Sequence, residues 1–250
     1  HMVSDVAALG IALVAQRLSR VRPGGGFTFG LKRVPVLGAF GNALALFVIA
    51  GFIVWEAVER LDSPEPVMAA PVLIAGGAGL VVNVVSAWWL HRQSGESLNI
   101  RGAFLHMVAD ALGSVGAIVA AIVILTTGWM AVDAVVSVVI AALILVGTWP
   151  LLRDSARVLL QSAPAGIDMD AVDRELCAAP EVHGAHHVHL WEVDAGFVIM
   201  TAVLLSDTCD LRALEPAADR LRERLRERFG IQHATFEWRT SESDVQRCKL

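Results

Sequence analysis

At 250 residues the chain is 55% hydrophobic and 18% charged, carries a formal net charge of −5 at pH 7, and has a mean hydropathy of +0.59. That composition is too apolar for an ordinary soluble domain of this length and reads as a membrane protein. Charge is also unevenly spread: residues 34–55, 66–90 and 134–152 contain no Asp, Glu, Lys or Arg, and each approaches or exceeds the roughly 20 residues that a helix needs to cross a bilayer.

In chain order, residues 1–16 are apolar apart from His1 and Asp5, and no small-residue cleavage site follows them, so a membrane helix is expected there rather than a secretory signal. Residues 102–132 form a further apolar stretch whose ionisable side chains are His106 and Asp110. Five transmembrane helices are therefore expected, at about 1–18, 34–60, 66–91, 100–127 and 130–152, within a membrane domain spanning 1–160. The connection after the first holds Arg17, Arg20, Arg22, Lys32 and Arg33, and "HRQSGESLNIR" is basic as well. By contrast "ERLDSPEPVM" is mostly acidic and "TTGWMAVD" has no Lys or Arg. Basic loops face the cytoplasm, so Arg153 and Arg157 after the last span put the rest of the chain on that side. Trp55, Trp88, Trp89, Trp129 and Trp149 fall near span ends, where aromatic side chains anchor at the interface.

Beyond Pro150 the composition changes, and residues 161–240 read as a separate domain followed by a tail at 241–250. "DMDAVDRELCAAP" has a helical pattern with acidic residues at its start. "AHHVHLWEV" and "GFVIMTAVLL" read as two strands joined by a tight turn. "LRALEPAADRLRERLRERFG" is an amphipathic helix with a Gly stop, and "IQHATFEWR" is a third strand. The order αββαβ predicts a ferredoxin-like α+β domain, its arginine run being read as a solvated helix face. No nucleic-acid motif occurs. Cys177, Cys209 and Cys248 are too scattered for a zinc ribbon and are expected to be reduced.

One short pattern recurs. "HMVSD" at 1–5 returns as "HMVAD" at 106–110, each time inside an expected membrane helix. A charged group in hydrocarbon costs at least about 2.5 kcal/mol, which makes intramembrane His and Asp functional candidates. At positions i and i+4 both side chains leave one helix face. Two facing helices can thus direct two imidazoles and two carboxylates at one point, a donor set that suits tetrahedral Zn²⁺, whose charge offsets the burial of the carboxylates. Asn42 and Asn83, mid-span, are expected to bond between helices, and Gly38, Gly41, Gly76, Gly79, Gly113 and Gly116 to allow close helix approach.

The segments "HMVSDVAALG", "FTFGLKRVPVLGAFGNALAL", "VVNVVSAWWL", "HMVADALGSVG" and "VHGAHHVHLWEV" together resemble the cation diffusion facilitator family, zinc-exporting membrane proteins with a cytoplasmic ferredoxin-like domain. The resemblance runs the whole length. It implies that His1, Asp5, His106 and Asp110 are the transport site for Zn²⁺, with Cd²⁺ and Co²⁺ carried by related members. It also implies exchange against protons, a homodimer in the lipid bilayer, and a bacterial cytoplasmic (inner) membrane location. Family members have six transmembrane helices, so the first is expected to be missing here and the chain to be part of a longer protein. His186 and His233 fall where members place cytoplasmic-domain ligands, while Ala202 stands where a second-strand His is frequent; His183, His187 and His189 are further candidate donors. No site is expected in "RVRPGGGFTFGLKR", which has neither Asp nor His. The alternative is a metal sensor on the same scaffold that does not transport. A membrane metallohydrolase is disfavoured because four ligands fill the Zn²⁺ shell and no HExxH occurs, so the chain is not expected to be an enzyme.

Overall fold

The structure is a computed structural model that describes residues 10, 12–62, 69–93, 97–194, 196–208 and 210–240. It divides into two compact units, residues 1–156 and 157–250.

In the first unit, residues 12–18 belong to a helix, α1, and four long helices follow: α2 (Val34–Asp62), α3 (Ala69–Gln93), α4 (Leu98–Thr127) and α5 (Val132–Leu159). Each of the four is long and apolar enough to span a membrane. A helix of 29 residues such as α2 is about 43 Å long at ~1.5 Å per residue, against a hydrocarbon core of about 30 Å. α5 runs beyond Pro150 for more than two further turns. The composition shift there therefore marks no helix end, although Pro150 removes one ladder hydrogen bond.

Burial in this unit is sorted by size rather than by polarity. The fully buried side chains are chiefly small, among them Ala39, Ala43, Ala50, Ala120, Ala121 and Ala141, while Ile74, Val81, Leu125, Val146 and all five tryptophans near the span ends are exposed. Lipid tails are as apolar as Leu, so helices gain little by burying large side chains and associate instead through small residues that let backbones approach. α4 packs against α2 and α3, and Leu46, Ala50, Ala109, Ala141 and Ile144 form a cluster shared by α2, α4 and α5. Four of the six glycines expected at helix contacts are there. A Cβ on Gly38 would lie 3.0 Å from Asn99 Oδ1, on Gly76 3.3 Å from Ile118 Cγ1, on Gly79 3.5 Å from Ser114 Oγ, and on Gly116 would run into Ile140 Cδ1. Gly41 and Gly113 face open space, which corrects the expectation for those two. Where α2 ends and α5 begins, Arg60 bonds Asp133 at 2.8 Å and Glu56 at 2.6 Å.

The second unit has the expected element order: α6 (Met169–Cys177), β1 (Gly184–Asp194), β2 (Phe197–Leu205), α7 (Leu211–Phe229) and β3 (Ile231–Arg239). Asp168 caps α6 by accepting the Asp170 N–H at 3.0 Å, Asp210 caps α7 by accepting the Arg212 N–H at 3.0 Å, and Gly230 ends α7 with φ of 67°. The sheet order is β1-β2-β3, antiparallel between β1 and β2 and parallel between β2 and β3. Val172 and Leu176 of α6 and Leu221 and Leu225 of α7 pack on Met200, Ala202 and Leu204 of the central strand.

The arginine run of α7 is more than a solvated face. Glu175 of α6, only 3% exposed, is held between Arg224 and Arg228, and Arg220 reaches Glu181 at 2.6 Å. These three arginines recur every four residues and so form one stripe along the helix, which clamps α7 to α6 and to the segment after it.

Candidate metal site

His106 and Asp110 sit on one face of α4, with His106 Nε2 3.5 Å from Asp110 Oδ2 and side-chain exposures of 10% and 25%. The α4 helix places them: Met107 and Ala103 beside His106 are buried, and His106 lies eight residues, about 12 Å of helix, from Leu98. That is well inside the apolar span.

The turn below His106 is fixed by two contacts. Asn42 of α2 donates through Nδ2 to the carbonyl oxygen of Gly102 at 2.8 Å, as expected of a mid-span asparagine. In a regular α-helix that carbonyl also accepts the N–H of His106. Gly102 itself lies close to two neighbours: a Cβ there would be in ordinary contact with Leu151 Cδ2 at 3.4 Å and Ala39 Cα at 3.5 Å. Asn83 is buried in α3.

At the start of α4, Asn99 Nδ2 donates to the carbonyl oxygen of Ala12 in α1 at 2.7 Å, and Ser97 Oγ lies 3.3 Å from Gln16 Oε1. Nothing in the sequence pattern points to Asn99, since it stands beside the polar "HRQSGES" connection and reads as a helix-start residue. His1 and Asp5 lie outside the described residues, so the first copy of the pair has no described geometry. Among the described residues no three His, Cys, Asp or Glu side chains cluster closely enough for a metal ion. His106 and Asp110 alone supply two donors of different hardness: an imidazole nitrogen and a carboxylate oxygen.

In the second unit, His186 of β1 pairs with Val203 and His233 of β3 pairs with Ile199, so the register does not bring the two together. Four residues on β2 and two strand spacings separate them by about 13 Å along the strand and about 10 Å across it. A bulge interrupts β1 at His187 and Val188, with φ of +49° at His187, and upsets the strict alternation expected of its histidines. The His187 and His189 rings lie 6.4 Å apart. Ala202 is in the core. His183 Nε2 meets Asp207 Oδ2 at 2.8 Å, an exposed pair whose acid comes from the turn after β2. Cys177 is exposed, and Cys209 and Cys248 fall outside the described residues.

Comparison with known proteins covers both units. The family profile described as the cation efflux transmembrane domain matches residues 1–160, and the cation efflux protein, cytoplasmic domain profile matches residues 164–236. The zinc transporter ZitB of Pectobacterium atrosepticum is 40% identical over 252 residues, covering 100% of this chain and 78% of the relative. ZitB of Escherichia coli is 42% identical over 239 residues, 95% of this chain and 75% of the relative. A cadmium, cobalt and zinc/H(+)-K(+) antiporter of Bacillus subtilis is 34% identical over 243 residues, 96% of this chain and 78% of the relative.

Proposed function

The chain belongs to the cation efflux family, and from that premise we infer how this metal efflux transporter holds and releases its cargo. It is a multi-pass membrane protein with a cytoplasmic domain, and its activity is transport. The cargo we propose is Zn²⁺, with Cd²⁺ and Co²⁺ as further substrates, carried out across a bacterial cytoplasmic membrane. The names of its relatives support the metal, and their bacterial sources are in keeping with the membrane.

The site proposed is His1, Asp5, His106 and Asp110. The observation that carries it is the His106–Asp110 pair, two donors on one face of an apolar helix. The contacts between α1 and α4 support the other half. Ala12 lies against Asn99 and Gln16 against Ser97, so the two helices run antiparallel. Asp5 precedes Ala12 by seven residues, as His106 follows Asn99 by seven; His1 and Asp110 are each eleven away. At helical spacing seven residues are about two turns and eleven about three, so the sequence sets the two pairs at matching distances from the Ala12–Asn99 contact.

Release follows from proton linkage. Imidazole binds a metal only when neutral and a carboxylate only when ionised, so loading Zn²⁺ sheds protons and reprotonation expels it. With basic loops on the cytoplasmic side, the ion enters from there and protons arriving from the far side displace it. The name of the Bacillus relative includes H(+), in keeping with such an exchange. Two copies are proposed to pair through the cytoplasmic domain, whose matching family is called ZT_dimer. His186 and His233 are proposed as cytoplasmic-domain ligands to separate ions only, because the register keeps them apart.

The test is zinc flux into proteoliposomes under an imposed pH gradient. Flux that follows the gradient and stops when it is collapsed is expected. Zinc binding without flux in the presence of a gradient would overturn the transport reading of the site.

A further inference from the structure

We propose that Asn99 is a positioning residue for the transport site, setting the register between α1 and α4 so that donors from both helices meet at one ion. The proposal rests on the four-residue site described above. Asn99 is 3% exposed, and its Nδ2 reaches the Ala12 carbonyl at 2.7 Å. A residue at the start of a helix ordinarily spends its side chain on its own backbone. Here Ser97, at the N-cap, makes no side-chain cap bond and lies instead 3.3 Å from Gln16, while Asn99 bonds across to α1. Two polar residues at the mouth of α4 are therefore committed to the neighbouring helix rather than to their own.

A third helix holds the amide in place. Gly38 of α2 leaves room for it: a Cβ there would stand 3.0 Å from Asn99 Oδ1 and 3.8 Å from Ala15 Cβ. The amide thus fills a gap between three helices, with its Nδ2 donating to α1. In an apolar interface a carbonyl–amide bond is directional, whereas alanine contacts permit sliding. A slip by one residue turns a helix by about 100° and moves its donors by about 1.5 Å, enough to take a ligand pair off the ion.

The experiment uses the full chain in lipid nanodiscs and compares Asn99→Ala, Asn99→Leu and Asp110→Ala with the unsubstituted protein. Zinc affinity is measured by competition with a chromophoric chelator, and ligand geometry by the visible d–d absorption of bound Co²⁺. Asn99→Leu keeps the branching and lacks the donor, which separates the hydrogen bond from space filling. Both Asn99 variants are expected to bind zinc about tenfold more weakly, the order of one lost buried hydrogen bond. The Co²⁺ band is expected to lose intensity per bound ion as water replaces a displaced ligand. A lower melting temperature with unchanged affinity and an unchanged Co²⁺ spectrum overturns the proposal and leaves Asn99 a packing residue. Loss of binding in Asp110→Ala with none in the Asn99 variants overturns it while leaving the site intact. Unchanged binding in Asp110→Ala overturns the site itself. Should Asn99→Ala not fold, Asn99→Leu and Asn99→Val, both without a donor, undergo the same measurements under the same criteria.

Discussion

Asn42 Nδ2 and the carbonyl oxygen of Gly102 are 2.8 Å apart, which ties α2 to the turn of α4 on which His106 stands. Asn42→Leu removes the donor and places a larger apolar side chain against Gly102. It is expected to cost about 1 kcal/mol of stability, the net value of such a bond, and to lower zinc flux severalfold. Thermal unfolding in detergent and proteoliposome flux check the two effects. Full flux at normal stability would show that α4 holds His106 without help from α2.

Asp110→Ala is expected to abolish zinc flux while the protein still folds, because the carboxylate is a quarter exposed and takes no part in the apolar clusters. Near-normal flux in this variant sinks the assignment. Replacing the partner, His106→Asp, exchanges nitrogen for oxygen and should relax selectivity toward Mn²⁺, a harder cation. Competition between Zn²⁺ and Mn²⁺ measures this, and unchanged discrimination contradicts it.

Zinc binding should release protons, and apparent affinity should weaken as pH falls through roughly 6 to 7, where free imidazole titrates. The sign follows from mass action, since protons and metal compete for the same donors. Calorimetry in two buffers of different ionisation enthalpy counts the protons released. Binding at pH 6.5 with no proton release would exclude antiport by this route.

Gly116→Leu should destabilise the membrane unit by about 1–3 kcal/mol, since a side chain there collides with Ile140 and Val136 of α5. Gly113→Leu, facing open space on the same helix, should be tolerated. The difference between the two unfolding temperatures decides the matter; equal temperatures would mean that α4 and α5 part easily.

In the cytoplasmic domain, losing both Arg224 and Arg228 to Ala should cost about 3–5 kcal/mol because it strands a buried carboxylate, while Glu175→Leu should cost less because both arginines are at least partly exposed. Hydrogen exchange of α6 in the whole protein reads this locally. Protection that survives the double substitution would show that the clamp adds nothing to the apolar core.

Four of the five expected spans were legible because a charge-free run of about 20 residues has few other uses, most of the first lying outside the described residues, and the αββαβ order because strand alternation and helix caps agree with one another. Asn99 was not legible, because its partner is a backbone carbonyl of Ala12, which no side-chain pattern encodes. The arginine clamp left a fainter trace. The four-residue spacing of Arg220, Arg224 and Arg228 marks one helix stripe, but Glu175 looks like any acidic residue until α6 is folded against it. The bulge at His187 depends on a positive φ at a residue that seldom adopts one, so alternation misplaced the histidines around it.

The notch at Gly116 has a mechanical consequence. Ile140 of α5 seats against α4 like a peg at that level, six residues beyond Asp110. The helix that bears the two described donors is thereby coupled to α5, whose backbone continues without a break from Val132 to Leu159. Movement of α4 at that level therefore bears on α5 through a single peg and notch.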